Sequence, residues 1–122
     1  VIGVVFARMS NWTFKKEKAE EGFIELDSQL NSLTRQTEGF RGYMSLLSRE
    51  DASKAVILSL WQDEEALIAS EKGAFVQLTG KMEPYLEKPP TTSSFRVFST
   101  ELFQRHEKPN LQPTQTTMAG RI

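Results

Sequence analysis

Chemistry in this chain would have to be built from few reactive groups. It has no cysteine, which removes disulfides, thiolate metal sites and a cysteine nucleophile together. Its one histidine, His106, stands beside Glu107 in a polar stretch. With no second ligand nearby, a solvated imidazole is a simpler reading than a metal site or an acid–base pair. No Gly-rich phosphate loop, Ser-His-Asp set or HExxH motif occurs. Glu64 and Glu65 fall at a helix start, where the helix dipole favours them without any catalytic role. What is left is an aromatic and polar set able to wall a pocket. Ile57, Ser59 and Trp61 alternate on one strand face, Arg41 and Tyr43 share another, and Phe75 and Tyr85 follow on a helical segment. Trp61 offers a flat ring to stack a planar substrate and an indole N–H to donate; closing a strand end in the core is the competing use. Ser59 interrupts an apolar row, which either leaves cavity space or lets its hydroxyl bond a neighbouring backbone group. Arg41 and Tyr43 could orient an anionic or phenolic group, or lie at the surface. Tyr85, after Pro84, is either a lid or helix-end packing. No residue stands out as a base.

These side chains need a frame. Val1 to Met9 is rich in β-branched and aromatic residues on both alternation sets and reads as a strand buried on both faces. Ser10 to Thr13 reads as a polar link. From Lys15 to about Gln36, Phe23, Leu26, Leu30 and Leu33 recur at helical spacing opposite Glu and Lys, and Gly39 supplies a stop. Phe40 to Arg49 alternates as a strand, with Phe40, Gly42, Met44 and Leu46 on one face and Arg41, Tyr43, Ser45 and Leu47 on the other. Glu50 to Ser53 is a polar turn. Lys54 to Gln62 is the strongest strand: Val56, Leu58 and Leu60 point one way, and Ala55, Ile57, Ser59 and Trp61 the other. Asp63 is placed to cap a second helical region, which Gly73 divides into two pieces and which ends at Pro84 and Pro89-Pro90. Phe95 to Phe103 reads as the last strand. After residue 104 the sequence is polar and proline-containing.

The order β-α-β-β-α-β predicts an α+β fold, the split βαβ of a ferredoxin-like sheet with helices on one face. One domain spanning residues 1–104 suits a chain of 122 residues. A sheet covered on one side should have one wet face, yet the central strands are apolar on both. Leaving such side chains in water forfeits roughly 1.5–3 kcal/mol each, so a homodimer with its sheets face to face is expected. The polar tail, 105–122, is expected to lie on the partner subunit. With 15 basic against 16 acidic residues and a net charge of -1, no basic stripe suggests nucleic acid. No apolar run is long enough for a membrane span, and the absence of cysteine fits the cytoplasm.

The stretch TEGFRGYMSL, followed after the turn by AVILSLWQDEEALIASEKGAFVQ, resembles the antibiotic biosynthesis monooxygenase family. Its Gly-Phe-x-Gly strand entry matches Gly39-Phe40 and Gly42, and its strand ending in Trp before acidic residues matches Trp61 with Glu64 and Glu65. Ser70 to Phe75 follows its helical Ser–Phe step loosely. The resemblance implies a ferredoxin-like unit forming a dimeric α+β barrel. One branch oxidises polyphenolic aromatics with O₂ and neither metal nor organic cofactor, the substrate's own carbanion reducing oxygen. A second branch degrades heme with an Asn, a Trp and a ligating His. Trp61 matches that Trp, but Thr79 stands near the His position and Asn11 lies beyond the Asn position, so heme is not expected. The resemblance therefore implies a cofactor-independent monooxygenase-like protein binding a small hydrophobic or aromatic molecule between sheet and helices. The alternative is a non-catalytic ligand-binding or structural dimer on the same scaffold.

Overall fold

The computed structural model describes residues 5–101; His106 and the tail expected on the partner subunit lie outside them. The chain forms β1 (Phe6–Phe14), a short 3-10 turn, α1 (Ala19–Gln36), β2 (Phe40–Leu47), β3 (Lys54–Trp61), α2 (Glu64–Lys72), α3 (Ala74–Met82), a second 3-10 turn and β4 (Leu86–Arg96). The four strands make one antiparallel sheet in the order β2-β3-β1-β4. That is the α+β, ferredoxin-like arrangement expected from the hydrophobic pattern. No described helix is long and apolar enough to cross a membrane.

α1 forms where the sequence spaces its small and apolar side chains three and four apart, and it buries Ala19, Gly22, Leu26 and Leu30. Gly22 is required by contact, because a Cβ there would run into the Phe14 ring. α2 begins as expected at Asp63, whose carboxylate accepts from the Ala66 N–H at 2.9 Å. α2 and α3 meet at Gly73. The core joins Trp12, Phe14, Leu26, Leu30, Ile57 and Met82 between sheet and helices, with a second cluster of Phe40, Trp61 and Leu67 beside it.

Three sequence expectations need correction. β1 runs from Phe6 to Phe14, not from Val1 to Met9, so the expected polar link is strand. Its helix-side face is Phe6, Arg8, Ser10, Trp12 and Phe14, opposite Trp61, Ser59, Ile57 and Ala55 of β3. The polar members of that face hid the strand from an apolar count. β4 starts nine residues before the expected Phe95. Pro89 and Pro90 lie within it, where the ladder with β1 is irregular. An edge strand tolerates proline because one row of its N–H groups has no strand to bond. In β2, the register shifts between Phe40 and Gly42, with Gly42 at φ 141°, a conformation side chains rarely adopt. Arg41 is the extra residue of this bulge. Phe40 therefore joins Tyr43 and Trp61 on the helix side, not Met44 and Leu46 on the open side.

The opposite sheet face has no cover among the described residues. Val56 and Leu58 are half-buried, and Met44, Leu46 and Phe95 are exposed. The two-faced apolar character read in β3 is thus present, and the second face is open.

Candidate functional site

The inner faces of β1 and β3 place Arg8 and Ser10 beside Ser59 and Trp61, because Arg8 pairs with Ser59 and Phe6 with Trp61 across the ladder. α2 and α3 close over them with Ser70 and Phe75. The cleft between them is narrow, with a cavity of about 30 Å³. Phe40 stacks on Trp61, ring centroids 4.9 Å apart, and forms its floor on the β2 side.

Arg8 dominates the electrostatics. It is 4% exposed and lies between two aromatic faces, its guanidinium carbon 5.4 Å from the Trp61 ring centroid and 5.0 Å from that of Phe75. These are cation–π distances, and the attraction grows as water is removed. One terminal nitrogen, Nη2, donates to the Leu67 carbonyl at 3.0 Å and to the Ser70 hydroxyl. Ser70 in turn donates to the same carbonyl at 2.7 Å. Burial pushes the Arg8 pKa below its ordinary value, against the opposing influence of the Glu71 charge. The group stays protonated at any physiological pH because arginine starts so high.

The serines serve the tryptophans. Trp61 Nε1 donates to Ser59 Oγ at 2.9 Å, and Trp12 Nε1 donates to Ser10 Oγ at 2.8 Å. Each is a partner two residues earlier on the same strand face, so each indole N–H is satisfied inside the core. Ser59 also donates to the Arg8 carbonyl at 3.4 Å. The Trp61 N–H is thus engaged within the protein in this conformation.

Of the side chains singled out in the sequence, Trp61, Ser59, Ile57 and Phe75 line this cleft. Tyr43, Arg41 and Tyr85 do not. Tyr43 stacks on the outer side of Phe40 at 6.5 Å and donates to the Asp27 carboxylate at 3.0 Å. Burial, reinforced by Asp27, holds its phenol above the usual tyrosine pKa, so it carries its proton at neutral pH. Arg41, the bulge residue, is exposed and donates to Gln62 Oε1. Tyr85 packs against the main core beside Gly22. Sequence reasoning missed Arg8, Ser10, Phe40 and Ser70. A signal for Arg8 was available: Phe6, Arg8, Ser10, Trp12 and Phe14 alternate, so the arginine shares a strand face with three aromatic residues.

Thr79, near the place a heme-ligating histidine would occupy, lines a separate recess with Gly80, Glu83 and Leu86. Its buried hydroxyl has no hydrogen-bond partner among the described residues. Among those residues, no cluster of three or more His, Cys, Asp or Glu side chains is placed to hold a metal ion. The cleft around Trp61 is lined by aromatic rings, aliphatic side chains, serines and the Arg8 cation.

The family model for antibiotic biosynthesis monooxygenase matches residues 6–78, from β1 into α3. The chain belongs to the antibiotic biosynthesis monooxygenase family. No curated protein matches it in sequence. The fold of this antibiotic biosynthesis monooxygenase family member is shared by solved structures of low identity. A Nitrosomonas europaea protein of unknown function, NE2512, superposes with a TM-score of 0.69 at 14% identity, covering 85% of this chain and 99% of that one. Rv0793 from Mycobacterium tuberculosis gives 0.64 at 14% identity, covering 79% and 97%. A conserved protein from Methanosarcina mazei gives 0.63 at 22% identity, covering 76% and 92%.

Proposed function

We propose that this family member is a cofactor-independent monooxygenase that oxidises a small aromatic substrate bound between the sheet and α2–α3, against Trp61. The observation that carries the reading is the makeup of that cleft. Stability alone is better served by well-packed apolar side chains than by a buried cation, yet Arg8, Ser59 and Ser70 are buried there among the rings of Trp61 and Phe75. Aromatic walls with a few convergent polar groups are the usual makeup of a small-molecule site. In the reaction class implied, a substrate CH₂ group and O₂ give C=O and H₂O. One oxygen atom enters the substrate, the other leaves as water, and the substrate's own carbanion supplies the electrons.

Ligand cavities usually run to about 300–1,000 Å³, and this one is about 30 Å³. Admission of an aromatic ring therefore requires α2–α3 to move off the sheet. The same small volume favours a second reading, a non-catalytic dimer whose cleft is simply core. We also propose that the chain is a homodimer, its open sheet face meeting that of a second copy. The centre of that face, Ala7, Met9, Val56, Leu58 and Leu60, carries no charge, and like faces of this kind suit a two-fold contact.

Oxygen uptake with a panel of phenols and quinols, wild type against Trp61→Phe, separates the two readings. Substrate-dependent uptake that falls in the variant is expected. An absence of turnover on every member of the panel would favour the non-catalytic dimer.

A further inference from the structure

The Arg8 guanidinium spends its two hydrogen bonds from one nitrogen. Both leave from Nη2, to Leu67 O and Ser70 Oγ. Nε and Nη1 bond no described residue, and they are not fully buried, since among the described residues the one fully buried side-chain atom without a partner is Thr79 Oγ1. They face accessible space, with no described carboxylate in ion-pair contact. Glu71, whose charge reaches it, is itself exposed. Removing a charge from water is costly unless it is paired. Two ring faces, a carbonyl and a hydroxyl compensate only in part, because none supplies a full negative charge.

The space left beside this cation is small, lined by Ser10, Ser59, Trp61, Ser70 and Phe75 among aliphatic side chains. Its volume of about 30 Å³ holds roughly two water-sized groups. That is the footprint of the two oxygens of a carboxylate. The flanking rings of Trp61 and Phe75 favour a flat group, and guanidinium is the side chain best matched to a planar oxyanion.

We propose that the cleft is a carboxylate-binding site in which Arg8 takes the anionic head of the ligand. The head enters free, as a small carboxylate, or attached to an aromatic ring. A free carboxylate needs little widening of the cleft, whereas an aryl carboxylate must first displace α2–α3. This inference rests on the reading of the Trp61 cleft as the ligand site and not on oxygen chemistry. Arg8 touches the ligand and sets its orientation; no bond-making step is assigned to it.

The test is a titration of the purified chain with formate, benzoate and benzamide at constant ionic strength, following the Arg8 Nε–H resonance by NMR. A saturable shift with formate or benzoate is expected, with benzamide, the uncharged counterpart, at least tenfold weaker. Benzoate binding more tightly than formate marks the head as part of an aromatic ligand, and equal binding or better binding by formate marks a free anion. Arg8→Met, which removes the charge and keeps the bulk, should lose at least tenfold in affinity, while Arg8→Lys keeps part of it. If Arg8→Met does not fold, the benzoate-to-benzamide ratio on the wild type carries the test. No saturable shift with either anion, or unchanged affinity in a folded Arg8→Met, overturns the proposal. The readout needs no turnover. Oxygen uptake without anion binding would therefore sink this inference alone, and anion binding without turnover would sink only the oxygenase reading.

Discussion

Arg8 and Gly22 show how single residues are set by their neighbours in space. Arg8 is tolerated in the core because its ladder partner is a serine and its flanks are rings. Gly22 has no side chain because the Phe14 ring occupies the space where one would be. Phe14 is fully buried and packs edge-on to Phe23, centroids 4.9 Å apart, so the ring has little freedom to yield. Gly22→Ala should then destabilise the fold by about 1–3 kcal/mol, the usual cost of forcing extra volume into a packed core. Without the clash, alanine would be the better helix residue. Urea unfolding gives the sign directly, and a stabilised variant would show that Phe14 has room to move. Trp61, Ser59 and Ile57 were legible as a set because strand alternation alone puts them on one face. Arg8 was not, because assigning β1 to Val1–Met9 placed it near a strand end. Only the tertiary structure, pairing it with Ser59 and setting it between the Trp61 and Phe75 rings, puts it in the core.

β3 and the polar turn before it are where sequence and structure agree most closely. That turn is held by Asp51, whose carboxylate accepts from the Ser53 N–H at 2.9 Å and the Ser53 hydroxyl at 2.7 Å. Those bonds, the Ser53 hydroxyl first, hold the Asp51 pKa below its ordinary value. A depressed carboxylate pKa stabilises the fold above the unfolded-state pKa, and the contribution is lost as pH falls through the folded-state value. Asp51→Asn should therefore melt below wild type at neutral pH, and the gap should close in acid below the usual carboxylate range. The turn is at the surface, so the gap will be small. A gap that stays constant with pH would remove ionisation as its cause. The helices were equally legible, from 3.6-residue periodicity and from the Asp63 cap. β4 was not. Its sequence, LEKPPTTSSFR, has no apolar alternation, since an edge strand exposed along most of its length needs none. Pairing with β1 alone makes it a strand.

At the scale of the whole molecule, the open sheet face is the main unmet demand. Exposed Met44, Leu46 and Phe95 surround half-buried Val56, Leu58 and Leu60, and apolar patches of this kind mark interaction sites. With a second copy as the cover, Leu58→Lys should dissociate the dimer, leaving a folded monomer in analytical ultracentrifugation. A wild-type chain that sediments as a monomer across the concentration range would end the dimer proposal. By itself, the sequence determined the βαββαβ order, the helical regions and their break at Gly73, the inner set Ile57-Ser59-Trp61 and the two-faced apolar character of β3. These follow from local periodicity, a property of neighbouring residues. Only the tertiary structure decided where β1 and β4 begin, that the Arg41 bulge turns Phe40 inward, and that Arg8 lies between Trp61 and Phe75. Each depends on cross-strand register and on which helix closes over which side chain. Those contacts join residues far apart in the chain, Phe6 with Arg96 and Arg8 with Phe75 among them, and no local pattern encodes them.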